Sequence, residues 1–134
     1  MTGGGFAGLA SEALERFGAF HFKARGHSMR PVIPDGSIVT LKALYRPVRA
    51  GDLVAINIES RVVVHRILTA EGDTVQTGGD NNLSPDSVRP QRDLIGMVTR
   101  VEWPNGWQMR TDVFASRHLG RLVAWGLRRK WHIA

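Results

Sequence analysis

The sequence predicts a mainly β fold: a small, partly closed antiparallel barrel flanked by an N-terminal and a C-terminal helix. Three observations carry that expectation. From about residue 20 to residue 108, short β-type runs alternate with Gly, Pro, Asn and Asp turns at hairpin-length spacing, which suits antiparallel strands rather than β-α-β units. Helical apolar spacing is confined to the two ends. At 134 residues, 43% hydrophobic and 22% charged, the chain has material for one globular domain with its own core, and two would be crowded.

In chain order, a flexible lead over residues 1–5 precedes an amphipathic helix. Phe6, Leu9, Ala10, Ala13, Leu14 and Phe17 recur at helical spacing, with Glu12, Glu15 and Arg16 between them, and Gly18 marks the end. Strands are expected near 37–42, 53–58, 61–69, 74–77 and 94–103. Turns are expected at Pro34-Asp35-Gly36, Ala50-Gly51-Asp52, Glu59-Ser60 and Glu71-Gly72-Asp73, with a long loop over 78–92. The tail returns to helical spacing in a stripe of Ala115, Leu119, Leu122, Val123, Leu127 and Trp131, while Arg117, Arg121, Arg128 and Arg129 lie largely elsewhere. The expected organisation is an N-terminal helical segment at 1–22, a β domain at 23–110 and a basic amphipathic helix at 111–134.

Charge separates the body from the tail. Residues 1–109 hold 12 Lys and Arg against 11 Asp and Glu, whereas residues 110–134 hold six against Asp112 alone. A near-neutral body with a basic helical end suits peripheral docking on an anionic membrane surface or an acidic partner. Specific nucleic-acid binding is not expected, since no helix-turn-helix, zinc or RNA-binding signature is present. The absence of cysteine excludes disulfides, thiolate zinc sites and Cys nucleophiles, and leaves the redox compartment open. Charged residues interrupt both helical ends, and the first 22 residues lack a basic stretch followed by an apolar one. Neither a spanning helix nor a cleavable secretory signal is expected, so the reading is a cytoplasmic or peripheral membrane protein.

The segment richest in chemistry is Gly26-His27-Ser28-Met29-Arg30-Pro31. Gly before and Pro after are expected to hold this serine in a stiff, non-helical turn at the mouth of the sheet, where its hydroxyl and backbone N–H could face a substrate carbonyl. Such a serine is commonly only a turn residue. As a nucleophile it needs a base from a distant part of the chain. His65 is the leading candidate, on a β-branched strand with Val63 and Ile67 on its face. Apolar surroundings favour the neutral imidazole that can accept the serine proton. The competing account is a half-buried histidine bonded to a backbone carbonyl. A Ser-x-x-Lys arrangement is excluded because position 31 is proline. A third group should orient the imidazole. The loop Thr77-Gly78-Gly79-Asp80-Asn81-Asn82-Leu83-Ser84-Pro85-Asp86 offers Asp80 and Asp86, 15 and 21 residues beyond His65. The loop does not match a calcium site.

Together these blocks resemble the signal peptidase I superfamily: Gly-x-Ser-Met-x-Pro at 26–31, Asp35-Gly36 before a strand, Arg49-Ala50-Gly51-Asp52, Val64-His65-Arg66-Ile67, Thr77-Gly78-Gly79-Asp80-Asn81-Asn82 with Asp86, and Leu94-Ile95-Gly96-Met97-Val98. The match spans about residues 24–101. His-Arg in place of lysine is similar to the endoplasmic-reticulum and archaeal branch. The resemblance implies a barrel of the signal peptidase and LexA type, in which Ser28 is the nucleophile, His65 the base, Asp86 the favoured acidic partner and Asp80 a second carboxylate shaping the loop. Gly26, Met29 and Pro31 are expected at the substrate, and no cofactor or metal is required. The implied activity is serine endopeptidase cleavage of a leader or signal sequence from a peptide or protein precursor. The alternative is a catalytically silent module that binds leader or tail peptides or docks on a membrane complex. The membrane anchor and large substrate-binding insertions of membrane-embedded relatives have no counterpart in residues 1–134, and nothing in the pattern sets the oligomeric state.

Overall fold

A computed structural model describes residues 5–133 of the chain, apart from the side chains of residues 114 and 115. The expected flexible lead therefore falls outside the described residues except at Gly5, as does the Ala115 side chain of the expected tail stripe. The helices are α1 (Gly5–Phe17) and α2 (Phe114–Lys130). Between them run β1 (Ala19–Lys23), β2 (Ile38–Lys42), β3 (Leu53–Ile58), β4 (Arg61–Glu71), β5 (Thr74–Gly78), β6 (Arg89–Pro90), β7 (Leu94–Glu102) and β8 (Gln108–Arg110).

The fold is mainly β, with one antiparallel sheet in the order β1-β2-β7-β3-β4-β5-β6 and β8 paired to β7, curled into a half-barrel with a helix at each end. The curl has a local cause. Register shifts at Thr40/Leu41, Ala55/Ile56 and Ile67/Thr69 place irregularities on the β2–β7, β3–β7 and β4–β5 pairs, and such bulges bend strands and increase twist. β3 is buried on both faces. Its Leu53 and Ala55 join a cluster with Met29, Ile33, Leu41 and Val64, while Val54 and Ile56 join a second cluster with Val48, Ile67 and Met97.

Three strands were absent from the sequence expectation. β1 carries a legible alternation, with Phe20 and Phe22 packed against the first cluster and His21 and Lys23 exposed. His21 thus lies in a strand rather than in a helical flank, and its Nδ1 pairs with Thr40 Oγ1 at 2.9 Å. β6 lies inside the segment read as a long loop, and β8 spans only three residues.

Both helices dock through small residues together with one leucine each. In α1 the buried positions are Ala7, Gly8, Ala10 and Leu14, while Phe6, Leu9 and Phe17 of the expected stripe are exposed. Among the described side chains of α2 the buried positions are Gly120, Ala124 and Leu127, whereas Leu119 and Leu122 are 59% and 55% exposed. The apolar stripe of α2 is therefore only partly turned to the body, for a steric reason. The backbones meet so closely that a Cβ at Gly120 would lie 2.6 Å from the Gly51 carbonyl oxygen. Further along, Arg128 Nη1 donates to Leu68 O at 2.9 Å and Trp131 Nε1 to Leu83 O at 3.1 Å, so the helix runs from β4 to the loop after β5. Among the described residues no helix is long and apolar enough to cross a membrane.

Candidate active site

The turn that carries Ser28 is tied at its base and anchored below. Ala24 N–H donates to Ser37 O, and Gly36 N–H returns a bond to Ala24 O, both at 2.8 Å. Gly26 N–H donates to Asp35 Oδ1 at 2.7 Å. Met29 and Ile33 are buried in the first cluster and joined by an Ile33 N–H to Met29 O bond of 2.8 Å, so the half-buried Ser28 sits directly before a core residue.

The loop after β5 clamps this turn from above. Asn81 N–H donates to Ser28 O at 2.8 Å, Asn81 Nδ2 donates to His27 O at 3.1 Å, and Asp80 N–H reaches Met29 Sδ at 3.4 Å. Gly79 makes the approach possible, since a Cβ there would stand 2.7 Å from Ser28 O. Contacts between two segments some 50 residues apart thus hold the serine in place.

His65 stands on β4 where the strand gives up its pairing with β3 and takes up β5. Its ring is buried, with Nε2 3.2 Å from Ser28 Oγ and Nδ1 2.6 Å from Asp86 Oδ2. An ionised carboxylate only accepts, so the imidazole proton facing Asp86 belongs on Nδ1, and Nε2 is left to accept from the serine hydroxyl. Asp86 is itself fixed: Thr77 Oγ1 donates to the same Oδ2 at 2.7 Å, Asp86 N–H donates to Thr77 O at 2.9 Å, and Gln76 Nε2 donates to Asp86 O at 3.0 Å. Burial pushes the Asp86 carboxyl up, but the hydrogen bonds from His65 and Thr77 outweigh it and hold the group below its ordinary value.

Of the two carboxylates left open by the sequence, Asp86 is the one at the imidazole. Asp80 meets Arg66 instead. The guanidinium Nε and Nη2 donate to Asp80 Oδ1 and Oδ2 at 2.8 and 2.7 Å, and Nη1 donates to Gly51 O at 2.9 Å. His65 and Arg66 are consecutive strand residues and point to opposite faces, so one loop serves both faces by carrying a carboxylate to each. Arg66 and Thr77 are contributors that residue-level reasoning had given no role. The second was findable from the alternation of Val75 and Thr77 along β5, both buried.

A cleft of about 470 Å³ opens beside Ser28, lined by Gly26 and Met29 together with Phe22, Ile33, Val62 and Val64 among others. Pro31, also expected at the substrate, is exposed and lies outside the cleft lining. A serine hydroxyl, an imidazole and a carboxylate in hydrogen-bonded series beside a cleft can activate the hydroxyl for attack on a carbonyl. Residues 8–99 match the family model described as Peptidase S24-like, a span that includes all four residues Ser28, His65, Asp80 and Asp86. A search of curated proteins finds no match.

Proposed function

The chain belongs to the Peptidase S24-like family, and from that premise we propose that it is a serine endopeptidase of the histidine branch, removing a leader or signal sequence from a peptide or protein precursor. The family includes serine peptidases as well as members that do not cut, so the choice rests on the site. The single observation that carries it is the continuous series Ser28 Oγ, His65 Nε2, His65 Nδ1 and Asp86 Oδ2, with separations of 3.2 and 2.6 Å across the two hydrogen bonds.

In this reading Ser28 Oγ attacks the scissile carbonyl carbon as His65 Nε2 takes its proton. The resulting oxyanion is met by the Ser28 backbone N–H; Gly26 has no hydroxyl to add a second donor. His65 then gives the proton to the leaving amine, the C–N bond breaks and an acyl-enzyme ester remains. Water, deprotonated by His65, releases the acyl group. Asp86 stays ionised and steadies the imidazolium, which its lowered pKa favours. The Arg66 to Asp80 pair holds the loop over Ser28 without entering these steps.

The substrate would bind as an added strand. Among the described residues β1 pairs only with β2, and β4 meets β5 only from Arg66 onward, which leaves the second edges of β1 and of residues 61–65 without a strand partner there, and residues of both line the cleft. Incubating wild type, Ser28→Ala and His65→Ala with a library of extended peptides tests the reading. Cleavage by wild type alone is expected; binding without cutting by all three would replace it with a peptide-binding module.

A second reading concerns where the protein works. The outer face of α2 exposes Leu119, Leu122 and Trp125 beside Arg121 and Arg129, with the Arg129 guanidinium 5.1 Å from the Trp125 ring. That combination suits an anionic lipid surface. Co-sedimentation with anionic vesicles should fall sharply for Leu122→Glu/Trp125→Glu, and unchanged binding would dismiss the docking role.

A further inference from the structure

The chemistry proposed for Ser28 says nothing of the walls of the cleft beside it, and those walls are sorted by charge. Along β4, Val62 and Val64 turn to the first apolar cluster, while Arg61 shares the opposite face with Val63 and His65. Along the chain leaving β1, Phe22 and Ala24 pack on the same apolar cluster, and the alternate residues Lys23 and Arg25 are exposed. The β1 wall therefore presents an apolar row to one side of the cleft and Lys23 and Arg25 to the other, and the β4 wall adds Arg61 on the face opposite Val62 and Val64.

The cationic row is uncompensated within the cleft. Lys23, Arg25 and Arg61 line it, and its lining includes no Asp or Glu. Among the described residues no salt bridge engages any of the three. The Asp35 carboxylate is engaged at the turn, where it accepts the Gly26 N–H at 2.7 Å. Three cations gathered around one opening repel one another and raise the local affinity for an anion. The body of the chain is otherwise nearly charge-balanced, so this bias is local.

An extended peptide seated between the two edges sends successive side chains to opposite faces. We propose that the cleft selects an acidic recognition segment: a peptide in which small or apolar residues, received by Phe22, Met29, Ile33, Val62 and Val64, alternate with Asp or Glu facing Lys23, Arg25 and Arg61. This rests on the hydrolase reading for its biological meaning, but the binding preference stands or falls separately.

Three peptide series identical at the apolar positions, with Asp/Glu, Asn/Gln or Lys at the alternate ones and placed on either side of the cut, provide the test. With wild type, kcat/KM for the acidic series should exceed the amide series by roughly ten-fold at low salt, since exposed pairs each contribute modestly, and the gap should narrow as salt rises. Arg61→Glu and Lys23→Glu/Arg25→Glu should each shrink the acidic advantage and raise turnover of the lysine series. Equal cleavage of all three series would overturn the selectivity while leaving the peptidase intact. Fluorescence anisotropy on Ser28→Ala reads the same preference without cleavage. Tighter binding of the acidic series there supports the inference even if no peptide is cut, and indifference to charge overturns it.

Discussion

His65 and Arg66 are neighbours on one strand, and Asp86 and Asp80 are six positions apart in one loop, yet the two pairs they form are built differently. Arg66 is saturated: its Nε, Nη1 and Nη2 all have partners, both Asp80 oxygens are occupied, and the two side chains are 4% and 6% exposed. His65 spends one nitrogen on Asp86 and keeps the other against Ser28, a hydroxyl that can part from it. A saturated pair can only hold structure. A pair with one nitrogen turned to a hydroxyl can move a proton, so adjacent residues of similar burial divide the work.

The sharpest break of that contrast removes the proton path. Ser28→Ala or His65→Ala should lower kcat on a cleavable peptide by a factor on the order of 10⁶ and leave the fold intact; a loss under about ten-fold would mean that the two groups are spectators. Asp86→Asn comes next. An amide can bind the wrong tautomer, so kcat should drop by about 10⁴ with KM little changed. Comparable rates for Asp86→Asn and wild type would break the assignment of Asp86 to the imidazole.

Disturbing the other pair should instead be read in stability. Arg66→Met strands the buried Asp80 carboxylate and should cost about 3–5 kcal/mol in denaturant unfolding. The double variant Arg66→Met/Asp80→Leu should recover much of that loss, because the unpaired charge is gone. A single variant as stable as wild type would show that the loop is held by the Asn81 and Gly79 contacts alone. Thr77→Val removes one donor to Asp86 and should cost about 1 kcal/mol, with a measurable fall in kcat.

The smallest effect sharpens the comparison through pH. The Asp86 carboxyl is held below its ordinary value in the folded chain, so it contributes stability above the unfolded carboxyl range, near about 3.9. That contribution fades as pH falls through the lowered folded value. Thermal unfolding followed from pH 5 to 2 should therefore show a shallower loss for Asp86→Asn than for wild type; parallel curves would mean that the pair carries no linked proton.

The β core was legible because its signals are local. β-branched runs bounded by Gly, Asp and Pro mark β3, β4 and β7, and turn residues mark their ends. The docking faces of the helices were not legible, because counting large apolar residues overlooks Gly8, Ala10, Gly120 and Ala124. Contact there is made by backbone coming close, and small residues allow it. β8 at 108–110 is short and takes its place from β7 rather than from its own pattern.

By itself, the order of residues determined which groups were available: a serine in a Gly-to-Pro turn, a histidine on a stiff strand, and two carboxylates in one Gly-rich loop. Only tertiary structure decided that Ser28 and His65, 37 positions apart, meet at 3.2 Å, and which carboxylate completes the series. The reason is geometric. Strand alternation sends His65 and Arg66 to opposite faces, and the path of the loop over the sheet then delivers Asp86 to one and Asp80 to the other, a choice made by long-range pairing that no local spacing encodes.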